Sequence, residues 1–290
     1  MGLRIHSNIA ALRVRHRLES LGPRVERSLG RLSSGLRLRG AADGPGDLGV
    51  SERLGVRIRS IQAARRNVED GMGMMELTLG GLSSVAEILE RQRELAVQAL
   101  NGTLEDRDRE LLDVEFQALK EEIDRLAQLE FNGIAVLADP TTITLQTGPE
   151  RLSRQRFRGL DARTVGLGLS TAGLGSLQDA QLALSSIDRA HLRLSRMTAS
   201  RAAILRRLES VHGRLGRADL DLSAARSRLR DADVAQESAR LGRDLILQEA
   251  GVALLAQANS APLLALALLH GSTGGEGAPS GPIRLLHREP

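Results

Sequence analysis

The residues able to do chemistry come first, and they are scattered. Six histidines stand at His6, His16, His191, His212, His270 and His287. No two have the i, i+4 spacing with an intervening Glu by which a helix offers a pair of imidazoles to zinc. No glycine loop runs into Lys-Ser or Lys-Thr, so there is no phosphate cradle, and no nucleophile elbow occurs. Acidic pairs such as Glu121-Glu122 lie on a charged helical face and read as solvated surface. Cysteine is absent, which excludes disulfides, thiolate metal sites and cysteine nucleophiles. The expectation is a protein without catalytic residues, cofactor or metal.

Composition points to what must position side chains of this kind. Of the 290 residues 41% are apolar, but the only aromatics are three Phe. The core must be aliphatic, and Leu and Ala suit packed helices better than strands, which favour aromatic and β-branched residues. The formal net charge is +4, and Lys120 is the only lysine. The arginines are spread along the chain and interleaved with Asp and Glu, the pattern of solvated helix faces. With almost no aromatics to stack bases, nucleic acid is not an expected partner. The first twenty residues hold no continuous apolar segment followed by a small-residue cleavage site. The apolar run Ala261–Leu269 falls short of the roughly 20 residues that span a bilayer. A soluble chain with no membrane insertion and no cleavable signal is expected.

Periodicity supplies the elements. Ile187, Leu194, Leu208, Leu215, Leu222 and Leu229 fall on a seven-residue grid. Ala190, Met197, Ile204, Val211, Ala218, Ala225 and Ala232 repeat three positions later. This a/d pattern predicts a long helix in a coiled-coil-like bundle. Only Arg201 breaks the first grid; there it can snorkel, pair or set register. A second long helix is read from Ile61, Val68, Met75, Leu82, Leu89 and Ala96. A third follows Asn101-Gly102, with Leu112, Phe116, Leu119, Ile123 and Leu126 on one stripe. Gly102 is expected to take the left-handed cap of the second helix, and Asp106 or Asp108 to cap the third.

Between about 132 and 175 the pattern changes. "TITLQTGP" alternates from Thr142 to Gln146, Gly148-Pro149 marks a turn, and Arg154–Leu160 reads as a returning strand. This hairpin is the only clear β signal. Both ends are helical again, with stripes Leu18, Leu21, Val25, Leu29, Leu32 and Leu241, Leu245, Val252, Leu255. Neither end can bury its stripe alone, so the two ends are expected to pack on each other. The segment "RLSSGLRLRGAADGPGDLGVSERL" (Arg31–Leu54) then acts as a hinge, stopped by Gly40, Gly44, Pro45 and Gly46. The expected fold class is mainly α: a long antiparallel helical bundle or coiled coil with a small β-hairpin region and paired helical termini. The expected domains are a terminal coiled coil at 1–45 and 233–270, a bundle at 46–232, and a flexible Gly/Ser/Pro tail at 271–290.

These segments resemble bacterial flagellin. The hinge is similar to that family's N-terminal signature. "QRELAVQALNGT" (Gln92–Thr103), "EIDRLAQLEFNGIAVL" (Glu122–Leu137) and "LRDADVAQESARLGRDLILQEAGVALLAQANSAP" (Leu229–Pro262) are similar to its other strongly patterned segments. The resemblance covers most of residues 3–269 and implies a filament subunit in a minimal form, because only a hairpin-sized segment stands where the family inserts variable outer domains. It implies secretion to an extracellular flagellum through the flagellar export apparatus with an export chaperone. It also implies assembly under a filament cap, contact with junction proteins, and a helical homopolymer whose terminal helices form the core. Leu18, Val25, Leu32, Leu245, Val252 and Leu255 are the residues expected to serve that core. Arg91, Leu95 and Glu115 match the family's contacts with a host Toll-like receptor. The alternatives are the related hook–filament junction protein and a non-flagellar coiled-coil scaffold. Three departures from the family pattern are Pro23 inside the first stripe, the broken Gly44-Pro45-Gly46 turn, and the C-terminal extension.

Overall fold

The computed structural model describes residues 8–271, and side chains as far as residue 260. The expected tail therefore lies outside the described residues, apart from Gly271. The described residues hold six α-helices and two small antiparallel strand pairs. They fall into two compact units, one holding residues up to Val50 and from Ser227 onward, the other Ser51–Arg226.

The second unit contains most of helix α2 (Pro45–Ala99), α3 (Asp106–Leu126), four strands, the short α4 (Thr164–Leu167) and most of α5 (Leu177–Arg230). Every member of the α2 grid is buried, from Ile61 through Ala96. On α5 the first grid is buried at Ile187, Leu194, Leu208 and Leu215. Met197, Ile204, Val211 and Ala218 pack half-buried against the same core. Phe116 and Ile123 close that core from α3. Strands β1 (Glu130–Phe131) and β2 (Ile134–Ala135) pair across Asn132-Gly133. Strands β3 (Thr142–Gln146) and β4 (Arg154–Arg158) pair with Ile143 opposite Phe157.

Several local expectations need correction. The hairpin region holds two strand pairs, the first turning at Asn132-Gly133, where both residues take the positive φ (50° and 76°) that a tight hairpin turn demands of Asn-Gly. Gly102 is not left-handed. The end of α2 is instead closed by the buried Arg109, whose Nε donates to the Ala99 carbonyl at 2.9 Å and Nη2 to that of Asn101 at 3.1 Å. A guanidinium fork meets the orphan carbonyls of a helix end as well as a glycine cap does. Helix α3 starts at Asp106, and Asp108 reaches back to the Glu105 N–H at 3.3 Å.

Close approach explains two glycines of α2. A Cβ on Gly71 would collide with Leu145 of β3, and one on Gly81 would stand 2.6 Å from Leu137. These two positions are where the strand region lies down on the helix.

The first unit pairs helix α1 (Ile9–Ser34) with α6 (Val234–Gly271). They run antiparallel, since Asn8 donates to the Ala258 carbonyl at 2.7 Å while Ser28 bonds Glu237 at 2.7 Å. Pro23 lies within α1 without ending it. The helix stops at Gly35, whose φ of 67° is the left-handed cap. After it the chain is stapled to the end of α5: Arg37 N–H donates to the Arg230 carbonyl at 2.7 Å. A 3-10 turn (Ala41–Asp43) follows, and Pro45 opens α2 at the first helical position, where its missing N–H is harmless. The Asp43 carboxylate accepts from the N–H groups of Arg39 and Gly40. The Arg39 bond is the main reason its pKa falls below the ordinary 3.8.

Candidate assembly surface

The surface that matters is built from the two terminal helices. Facing positions on α1 repeat as Ala11, Val14, Leu18, Leu21, Val25, Ser28 and Leu32, all at least half-buried. Their partners on α6 are Glu237, Leu241, Asp244, Gly251, Leu255 and Ala258. Leu18 fits against Gly251, where a Cβ would stand 2.7 Å from its methyl group.

The seam is not purely apolar. Arg24 forks onto Asp244 at 3.2 and 2.5 Å, and this bond holds the Asp244 carboxyl below its ordinary pKa of 3.8. Arg31 lies 3.7 Å from both Glu237 and Asp43. A bidentate pair on a largely buried carboxylate fixes register more than it adds stability.

This arrangement divides the residues expected to serve the filament core. Leu18, Val25, Leu32 and Leu255 face the intrachain seam. Leu245 and Val252 do not: they are 43% and 57% exposed. The α6 stripe read from sequence is rotated from the buried seam, because Glu237, Asp244 and Gly251 hold seam positions that an apolar pattern passes over. Outside the seam α6 exposes Leu245, Ile246, Val252 and Leu254, and α1 exposes Ile9, Leu12 and Leu29. So much exposed aliphatic surface on two adjoining helices marks an interaction site.

The expected receptor contacts are distributed differently. Arg91 and Glu115 are exposed and bonded to each other at 2.7 Å, with Glu94 also on Arg91. Leu95 is 1% exposed and belongs to the bundle core. No metal-holding cluster of His, Asp and Glu occurs among the described residues. Lys120 donates to the carbonyls of Ser170 and Ala172, both at 3.0 Å, and desolvation lowers its pKa. It therefore secures a loop. No helix among the described residues is long and apolar enough to cross a membrane.

Comparison with known proteins decides what these helices are. The model of the bacterial flagellin N-terminal helical region matches residues 5–142, and that of the C-terminal helical region matches residues 184–269. The chain belongs to the bacterial flagellin family. Among its relatives, flagellin of Halalkalibacterium halodurans is 34% identical, over 91% of this chain and 99% of that one. Flagellin of Bacillus subtilis is 32% identical, over 92% and 100%. Flagellar filament core protein flaB2 of Brachyspira hyodysenteriae is 32% identical, over 91% and 99%. The two matched regions leave only residues 143–183 between them, so this flagellin is a short form without variable outer domains.

Proposed function

We propose that this chain is a structural subunit that polymerises into the flagellar filament for motility, with no enzymatic role. One observation carries the reading: α1 and α6 bury one seam between them and leave many other aliphatic side chains of both helices exposed. On a permanent monomer that surface is an aggregation liability; in a polymer it is buried between copies. Export before assembly, a chaperone that shields the open faces, and a cap that guides addition follow from the same need to keep these faces from meeting too early. The product is part of an extracellular flagellum.

The receptor reading rests on Arg91 and Glu115 as surface contacts, with Leu95 holding the helix beneath them. The hook–filament junction reading differs in outcome, because a junction protein adds a short ring and does not propagate.

Seeded polymerisation of the purified chain, viewed by negative-stain electron microscopy, tests this directly. Long filaments growing from seeds are expected. Short capped rings would transfer the reading to a junction protein, and a soluble monomer under all seeding conditions would overturn it.

A further inference from the structure

Two surfaces of the second unit have no partner, and they complement each other. The first is the tip of the β3–β4 hairpin. Leu152 is 92% exposed there. It borders a cleft of about 680 Å³, lined in part by Arg154, Arg207 and Arg214. Arg151 and Arg156 extend the basic surface alongside Arg207. None of Arg151, Arg156 and Arg207 takes part in an ion pair among the described residues. Glu150, the carboxylate at the tip, is engaged by Arg57 at 3.3 Å.

The second surface is the outer face of α3. The inner stripe of that helix feeds the core. Leu111 and Val114 point the other way, each 70% exposed, and Ala118 continues the stripe one turn on. Glu110 and Glu121 rim it; Arg107 stands at one end, and Arg125, paired with Glu122, at the other.

The two surfaces lie far apart on one rigid element. Arg57 ties the hairpin tip to one end of α2, and Arg91 ties α3 to the other through Glu115. Those anchors are roughly 34 residues apart, or about 50 Å of helix. They cannot meet within one chain.

We propose that they meet between chains: the hairpin tip of one copy, with Leu152 and its arginines, seats on the Leu111–Val114 face of α3 in a second copy. The partner is a second copy of this flagellin, so the inference rests on the filament reading and names one of its contacts. Unlike patches at opposite ends of one unit give a head-to-tail contact that repeats without closing, which is the symmetry of an open polymer. Opposite charge around an apolar centre sets the orientation of the two copies and speeds their encounter.

The absence of native cysteine makes the test clean. Leu111→Cys and Leu152→Cys variants are mixed, seeded and oxidised with diamide. A disulfide-linked dimer is expected in the mixture and not from either variant alone, and the double variant should give a ladder. Both positions are exposed, so folding is preserved, with circular dichroism as the check. Arg154→Glu with Arg207→Glu should slow elongation on the order of tenfold, and adding Glu110→Arg and Glu121→Arg in the same chain should recover much of it. Filaments that form with no mixed dimer, or with equal dimer from each variant alone, overturn this contact and leave the filament reading standing. Failure of the unmodified chain to grow from seeds overturns the filament reading and this contact with it.

Discussion

At the scale of single residues, two buried arginines do what apolar side chains cannot. Arg201 is 3% exposed, donates to the Arg158 carbonyl, and holds its guanidinium carbon 5.6 Å from the centre of the Phe157 ring. It pins β4 to α5 through a hydrogen bond and a cation–π contact, and burial lowers its pKa. Arg201→Ala should leave a void and an unmet carbonyl, destabilising the bundle by about 2–4 kcal/mol. Arg201→Met, which keeps the volume, should lose less. Urea midpoints of the two variants check the order. The break in the heptad was visible in the sequence. Its partner was not, because a strand 43 positions away has no place in a helical grid. Arg109 was wholly illegible: a helix cap supplied from the next helix leaves no local spacing to find, and Gly102 offered a false one.

At the scale of elements, the helices were legible because a seven-residue repeat of Leu and Ala has one stable use. Their faces were less so. On α2 the grid and the buried face coincide, since helices and strands cover it. On α6 only α1 covers it among the described residues, so of one apolar stripe Leu241 and Leu255 face the seam while Leu245 and Val252 lie outside it. The strand pair β3–β4 announced itself by alternation, whereas β1–β2 is two residues long and has no period to detect. The α1–α6 seam also predicts a response to acid. Asp244 has a folded pKa below 3.8, chiefly through Arg24, and Asp43 is lowered in the same unit through Arg39. Groups depressed on folding contribute stability that is fully present above about 3.8 and lost as pH falls through the lower folded value. Helicity of α1 and α6 should therefore decline as pH falls below about 3.8. Arg24→Gln should flatten that decline, as followed by amide exchange against pH.

At the scale of the whole molecule, burial is unequal. Among the described residues of the first unit, Leu21 and Leu38 are the only fully buried apolar side chains; the long list from Ile58 to Leu215 belongs to the second. The imbalance between the units is not legible in the sequence, because periodicity reports which residues are apolar and not how many partners cover them. In dilute chain, amides of α1 and α6 should exchange much faster than those of α2 between Ile61 and Ala96. Polymerisation should slow them. Equal protection of all three regions in the unpolymerised chain would mean that the terminal pair is stable without neighbours.

The fit of Leu18 against Gly251 has a further consequence, for slippage. Arginines recur at Arg17, Arg24 and Arg31, seven apart, and the acids Glu237 and Asp244 share that step. A sliding motion of one heptad, about 10 Å, would bring Asp244 to Arg17 and Glu237 to Arg24, so the charges alone fit two alignments. Leu18 would then leave the one gap cut for it and meet a position that bears a side chain. A missing side chain therefore acts as the detent, and the charges hold whichever alignment it selects.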